Sequence, residues 1–233
     1  MINVCIFSGG LDSTVLLYRL LERERPLRAV SINYGQRHGR RELKAASEIA
    51  RIAGVPHDVI NMSGMASLLP GSSQTDPDVD VPFGHYANPS MKATIVPNRN
   101  MLMISAAAAI CLAHGGGSVI YGAHLGDRAI YPDCREEFSI ALDQALRCAD
   151  DRPINLERPF VFLTKAQIVK MGAWNGAPLE MTWSCYLGGD VHCGACGTCI
   201  ERREAFRDAE INDPTEYAPT APDLDTVLAT IRS

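Results

Sequence analysis

Residues 4–7 (Val-Cys-Ile-Phe) form a short apolar run that stops at Ser8-Gly9-Gly10, after which Val15, Leu16, Leu17, Leu20 and Leu21 recur at helical spacing. An unbroken apolar run before a turn suits a strand covered on both faces, as in a parallel sheet. The local order is therefore strand at 4–7, glycine turn, and helix at 13–23. Asp12, Ser13 or Thr14 can cap that helix. Backbone N–H groups at such a turn point outward, and the helix start adds partial positive charge, so the turn is a site for phosphate. Glycine lets an anion approach the chain closely. Ser8, Ser13 and Thr14 add hydroxyl donors. Asp12 does not belong beside phosphate unless a magnesium ion or a helix-cap contact reconciles it.

Later segments repeat the strand–helix alternation. Strands are expected at 27–33, 57–62, 118–122 and 154–157, with helices at 38–53, 101–114, 135–148 and 165–172. Loops past the strand ends carry the polar side chains. Tyr34, Gln36 and Arg37 follow the second strand, where open α/β sheets bind ligands. Arg40 and Arg41 suit a solvated helix face. Arg99 and Asn100 stand at the start of an apolar helix whose middle, Ser105 to Ala109, is small enough to pack closely on the sheet. Asp127, Tyr131, Asp133 and Arg135 follow the fourth strand, and Asp133 can cap the helix at 135–148. Thr164 caps the next helix. Lys165 in its first turn opposes the helix dipole, and so either faces a phosphate or lies exposed. Residues 62–96, rich in Pro, Gly, Ser and Asp, are expected to form a solvated loop. Asp76, Asp78 and Asp80 there lack the glycine and distal glutamate of an EF-hand.

Composition limits the function. A chain of 233 residues, 46% hydrophobic, can build a sizeable core, and a formal charge of −5 argues against a broad nucleic-acid footprint. The longest apolar stretch, 101–113, is too short to span a membrane. Met1 leads straight into the first strand, so no secretory signal is expected and the eight cysteines read as thiols or metal ligands in a cytoplasmic protein. Cys185, Cys193, Cys196 and Cys199 have the spacing C-x7-C-x2-C-x2-C, which suits a closed tetrahedral zinc site. An iron–sulfur cluster, a redox pair or a nucleic-acid-gripping zinc ribbon are the alternatives, the last disfavoured by the segment's low basicity. A helix at 200–209 then packs the knot on the body, and a short helix at 224–231 ends the chain.

Several of these motifs together resemble one family. Ser8-Gly9-Gly10-Leu11-Asp12-Ser13-Thr14 is similar to the PP-loop of ATP-pyrophosphatases, and no Gly-Lys-Ser/Thr follows to make it a Walker loop. Tyr34-Gly35-Gln36-Arg37-His38, Val96-Pro97-Asn98-Arg99-Asn100, Tyr131-Pro132-Asp133-Cys134-Arg135-Glu136-Glu137-Phe138, Thr182-Trp183-Ser184-Cys185-Tyr186 and the three later cysteines resemble the QueC, or 7-cyano-7-deazaguanine synthase, family. One departure is Asp127-Arg128-Ala129-Ile130, where many members carry Asp-aromatic-Ser-Gly.

The resemblance implies a Rossmann-like, adenine nucleotide alpha hydrolase-like α/β fold. Its five-stranded parallel sheet would occupy 1–175 with helices on both faces, and a small four-cysteine zinc region would occupy 176–233. It implies a ligase that adenylates 7-carboxy-7-deazaguanine with ATP and magnesium, adds ammonia, and dehydrates the amide with a second ATP. Phe7, Ser8, Gly9, Gly10, Leu11, Asp12, Ser13 and Thr14 would hold ATP, with Asp12, Ser13, Arg99 and Lys165 catalytic. Tyr34, Gln36, Arg37, Asn100, Asp127, Tyr131, Asp133 and Arg135 would bind the deazapurine, and the zinc would be structural. Relatives imply a homodimer, and from charge and apolar length neither nucleic acid nor membrane is expected as partner. The competing readings are an offshoot that takes another carboxylate or stops at the amide, a PP-loop tRNA sulfur transferase, and a non-catalytic zinc module.

Overall fold

The computed structural model describes residues 1–23 and 25–229. Five strands, β1 (Ile2–Ile6), β2 (Leu27–Asn33), β3 (His57–Asn61), β4 (Gly117–Ile120) and β5 (Ile154–Glu157), pair in parallel in the order β3-β2-β1-β4-β5. Among the described residues, helices α1 (Leu11–Leu21), α2 (Gly39–Ile52), α3 (Arg99–Ala113), α4 (Glu136–Cys148), α5 (Lys165–Trp174), α6 (Gly197–Asp208) and α7 (Leu224–Ala229) accompany the sheet, with short 3-10 turns between elements. The sheet and its flanking helices agree with the expected parallel α/β class.

Strand alternation explains why helices cover both faces. Cys5 pairs with Ala29 on one side and Ile120 on the other, and all three join the core formed with α1, α2, α5 and α6. Val4, Val30 and Val119 face the opposite layer, where Ile104, Ala107 and Ala108 of α3 and Leu142 and Leu146 of α4 pack. Leu16, Leu17 and Leu20 of α1 are completely buried. Each such side chain contributes about 2 kcal/mol through removal from water. Gly117 fixes how closely β4 can lie beside β1. It has φ +145°, and a Cβ there would stand 1.9 Å from the Ile2 carbonyl oxygen.

The chain runs outward from β1 in both directions, to β2 and β3 on one side and to β4 and β5 on the other. A crevice opens where such an order reverses, beyond the strands' carboxyl ends. The turn after β1 lies there.

Several local expectations need correction. β1 starts at Ile2 and ends at Ile6, so Phe7 already belongs to the turn. α1 begins at Leu11, with Gly10 as its N-cap, so Asp12, Ser13 and Thr14 lie in the first turn and do not cap it. α6 begins at Gly197 rather than 200, which places Cys199 inside the helix. Thr164 does cap α5, through a reciprocal pair with Gln167, and that helix continues past 172 to Trp174. The part of the last predicted helix beyond Ala229 lies outside the described residues.

The largest correction concerns 62–96. Two 3-10 turns, Ser63–Leu68 and Pro89–Thr94, punctuate it, and Ser72, Ser73 and Gln74 are completely buried. Gln74 Nε2 donates to the Thr94 carbonyl at 2.9 Å, and Arg37 N–H donates to the Gln74 carbonyl at 2.7 Å. Such partners offset the loss of water for Gln74, whereas the Ser73 hydroxyl is buried without a hydrogen-bond partner among the described residues. The inner side of the segment, through Gln74 and Tyr86, is a wall of the crevice, while Ser63, Leu68, Asp78 and Asn88 are exposed as expected of a solvated loop.

Candidate active site and cysteine cluster

The turn after β1 is closed by its own side chains. Ser13 Oγ accepts from Ser8 N–H at 3.2 Å, and Ser8 Oγ accepts from Gly10 N–H at 3.1 Å. The two hydroxyls meet at 3.1 Å, and Ser13 Oγ also reaches the Gly10 carbonyl at 3.2 Å. Gly9 takes φ +78°, and a Cβ there would lie 2.5 Å from Ala46 N in α2. Only glycine lets the turn sit this low against the helix. From above, Trp183 N–H donates to the Gly9 carbonyl at 2.9 Å. Two polar atoms at the turn, Asp12 Oδ1 and Thr14 Oγ1, are buried with no hydrogen-bond partner among the described residues.

Lys165 comes from the first turn of α5 to the opposite lip of the turn. Its Nζ lies 3.0 Å from Asp12 Oδ2 and donates to Glu201 Oε2 at 2.6 Å. His124 Nε2 stands 3.5 Å from both Glu201 Oε1 and Asp127 Oδ1. Gly126 N–H donates to His124 Nδ1 at 3.0 Å, which places the imidazole proton of the neutral ring on Nε2. Burial opposes charge on Asp12, but the Lys165 ammonium outweighs it and holds the carboxyl below its usual range. Burial likewise works against the Lys165 ammonium, yet Asp12, Glu201 and Asp127 hold it protonated well above the usual lysine value. Glu201 goes the other way, its burial raising the carboxyl despite the lysine. The exposed-lysine alternative for Lys165 is thereby removed.

Across the crevice, Arg99 lies between two tyrosine rings, 5.9 Å from the Tyr34 centroid and 5.5 Å from that of Tyr131. Its Nη1 donates to Gln74 Oε1 at 3.2 Å, and Tyr34 OH donates to the same oxygen at 2.8 Å. Gln36 is tied to the Tyr34 N–H, the Ile32 carbonyl and Glu42. Tyr86 OH donates to Asp127 Oδ1 at 3.1 Å.

One cleft thus gathers residues from β1, β2, the 62–96 wall, α3, the loop after β4, α5 and the C-terminal region. Of the sequence-derived candidates, Phe7, Ser8, Gly10, Leu11, Asp12, Ser13, Tyr34, Gln36, Arg99, Asn100, Asp127, Tyr131 and Lys165 line it. Gly9 and Thr14 sit beneath, and Arg37, Asp133 and Arg135 stay outside. Arg37 is exposed and donates to the carbonyls of Asp76 and Val79. Arg135 is exposed and donates to the Arg128 carbonyl. Asp133 caps a different helix from the one expected: its carboxylate accepts the Asn100 N–H at 2.9 Å in α3, while Arg135 is the N-cap of α4. Gln74, Tyr86, Glu42 and Glu201 were not anticipated. Nothing local marks the first three; Glu201 follows Cys199 by two residues, which is the only hint.

The four cysteines converge. The Sγ atoms of Cys185, Cys193, Cys196 and Cys199 all lie within 4.8 Å of one another, and Cys193 and Cys199 are 3.9 Å apart. A tetrahedral zinc with sulfur at about 2.3 Å has sulfur–sulfur edges of about 3.8 Å, so the donor set fits such an ion. Hydrogen bonds within the cluster pull the Cys193 thiol below its usual value and push Cys196 and Cys199 above theirs, as four sulfurs sharing protons do. Backbone N–H groups of Ala195 and Cys196 also point at the Cys193 sulfur, as they do in thiolate sites. His192 stays apart from the sulfurs. It accepts Ser184 N–H at 3.1 Å and stacks on Trp183 with centroids 4.3 Å apart. Among the described residues, no helix is long and apolar enough to cross a membrane.

Comparison with known proteins agrees with this geometry. The chain is similar to the 7-cyano-7-deazaguanine synthase of Marinobacter nauticus, 47% identical over 214 residues, covering 92% of this chain and 96% of that protein. It is likewise similar to the 7-cyano-7-deazaguanine synthase of a Ruegeria species, 47% identical over 220 residues and covering 94% of each. Among solved structures, NMN synthetase from Francisella tularensis aligns with a TM-score of 0.47 and 14% identity, covering 94% of this chain and 79% of that one. The family described as "Queuosine biosynthesis protein QueC" matches residues 2–210, nearly the whole of the strand–helix body and all four cysteines. With a turn, a cleft and a knot in the order that the motifs require, this chain belongs to the QueC family.

Proposed function

We propose that the protein is an ATP-dependent ligase that converts 7-carboxy-7-deazaguanine and ammonia to 7-cyano-7-deazaguanine. Family membership supports the substrate, and the single observation that carries the chemistry is the meeting of Lys165 and Asp12 at the lip of the serine–glycine turn. A carboxylate is a poor electrophile. Transfer of AMP to it, with release of pyrophosphate, supplies a good leaving group. Ammonia then displaces AMP to give the amide. A second adenylation, on the amide oxygen, lets loss of AMP leave the nitrile.

The protein's part is orientation and charge. The N–H groups at the start of α1 would receive the phosphates, with the Ser8 and Ser13 hydroxyls, which now close the turn, beside them. Lys165 would offset the charge that grows on the leaving pyrophosphate, and Arg99 the charge on the deazapurine carboxylate. Tyr34 and Tyr131 offer flat faces for a heteroaromatic ring, and Asn100 and Asp127 offer polar edges. The buried, unpaired oxygen Asp12 Oδ1 suits a magnesium ion, which when bound draws charge from phosphate oxygens. A zinc ion in the cysteine knot would be structural, because four thiolates leave no open position.

The test is mass spectrometry of the product after incubation with ATP, magnesium, ammonium and 7-carboxy-7-deazaguanine. The nitrile mass with two AMP per product is expected. An accumulated amide assigns the offshoot reading, and no consumption of the acid overturns the proposal.

A further inference from the structure

Glu201 stands where the cysteine knot meets the cleft. Cys196 is the N-cap of α6, Cys199 lies in its first turn, and Glu201 follows two residues on. The knot side of α6 is firmly tied. Thr198 Oγ1 donates to the Ser184 carbonyl at 2.8 Å, and the neighbouring Trp183 holds the Gly9 carbonyl. Arg202, only 1% exposed, donates to Thr182 Oγ1, Ser184 Oγ, the Leu179 carbonyl and Thr215 Oγ1. The carboxylate of Glu201 is therefore carried by a helix start with little freedom.

That carboxylate meets Lys165 Nζ at 2.6 Å, while Asp12 meets it at 3.0 Å from α1. A lysine ammonium rides on a flexible four-carbon stem. Without Glu201, Asp12 would be the one carboxylate left at ion-pair distance and would draw it down onto the turn. Glu201 pulls from the other side, so the charge is fixed before substrate arrives, and preorganised charge is what favours a transition state. Glu201 itself does not line the cleft.

We infer that Glu201 is a positioning residue for Lys165, holding the ammonium between α1 and α6 and carrying the set of the cysteine knot into the cleft. The role rests on the ligase reading, in which Lys165 acts on the phosphates. It predicts a defect in turnover and not in ATP binding.

The experiment compares wild type, Glu201→Ala and Glu201→Gln for pyrophosphate release, with metal content and melting temperature measured on the same samples. Glu201→Ala is expected to lower kcat at least tenfold with KM for ATP within twofold and metal content unchanged. Glu201→Gln keeps an acceptor oxygen and is expected to recover at least threefold over alanine. A kcat for Glu201→Ala within twofold of wild type, a change confined to KM, or a glutamine variant no better than alanine overturns the inference. Where the alanine variant does not fold, the glutamine variant decides: a kcat reduced at least threefold at unchanged KM supports the role, and an unchanged kcat overturns it. Absence of pyrophosphate release from wild type counts against the ligase reading instead. In that case the 15N signal of the Lys165 ammonium reads the inference directly, slowly exchanging in wild type and lost in the variant, with no difference overturning it.

Discussion

The turn after β1 and the cysteine knot are both short and glycine-bearing, yet they are held by opposite means. The turn is closed by Ser8, Ser13 and its own backbone, and pressed between α2 below and Trp183 above. It needs nothing added to keep its shape. The knot has Cys185, Cys196 and Cys199 buried at its centre, with Val81 and the partly buried Trp183, Tyr186, Cys193 and Tyr217 around them. That is a small core, and four close thiols contribute little to it without an ion to join them. The turn thus has its shape from its own chain, while the four thiols of the knot are a set that an ion could join.

Removing the metal should break the second region first. Chelation, or Cys196→Ser, is expected to cost on the order of 5 kcal/mol in unfolding free energy, read by calorimetric melting with and without added zinc. Lys165→Ala comes next: it should reduce pyrophosphate release by about 10²–10³-fold even in the folded fraction, with some loss of melting temperature because Asp12 and Glu201 lose their shared cation. Equal loss of folding would mean that the lysine braces the cleft and does not act in it. Gly9→Ala attacks the first region directly. A Cβ close to Ala46 N at a left-handed φ should cost about 2 kcal/mol or more, visible as a lower denaturant midpoint with the metal still bound. Ser13→Ala removes only the hydroxyl at the centre of the turn and should cost about 1 kcal/mol.

Acid supplies the mildest test. Burial holds His38 and His57 below the ordinary histidine range. The unfolded chain therefore takes up protons first, and stability should be full above pH of about 6.5 and fall as pH drops below it. His57→Gln should flatten part of that slope in a pH series of melting curves. His57 Nε2 lies 2.7 Å from Ser31 Oγ, which also bonds the Phe7 carbonyl, so its share of the slope belongs to the turn side, while His192 beside the knot, pushed down by burial to about 4, adds a share of its own.

Elements whose signal is local could be read from the sequence. The second and fifth strands match their expected limits, and Thr164 caps α5, because apolar runs and capping pairs act within a few residues. The four cysteines could be paired by spacing alone. What could not be read depends on distant partners. The burial of Ser72, Ser73 and Gln74 depends on Arg37, Ala93 and Thr94, and nothing within 62–96 announces it. Asp133 has the form of a cap for the helix just after it, but its acceptor oxygens are taken by Asn100, 33 residues earlier. Glu201 looks like one more acid on a charged helix until α5 is laid against α6. Arg99 and Lys165 could be singled out as charges at helix starts, but their companions could not.

The ammonium of Lys165 rests among Asp12, Glu201 and Asp127, three acids for one base. A nucleotide's phosphates would come to a cation already neutralised from within. Their arrival would be an exchange of one anion for another, with Asp12 turning toward a metal while the ammonium stays where Glu201 holds it. Association should then vary with ionic strength far less than it does in pockets built from bare cations.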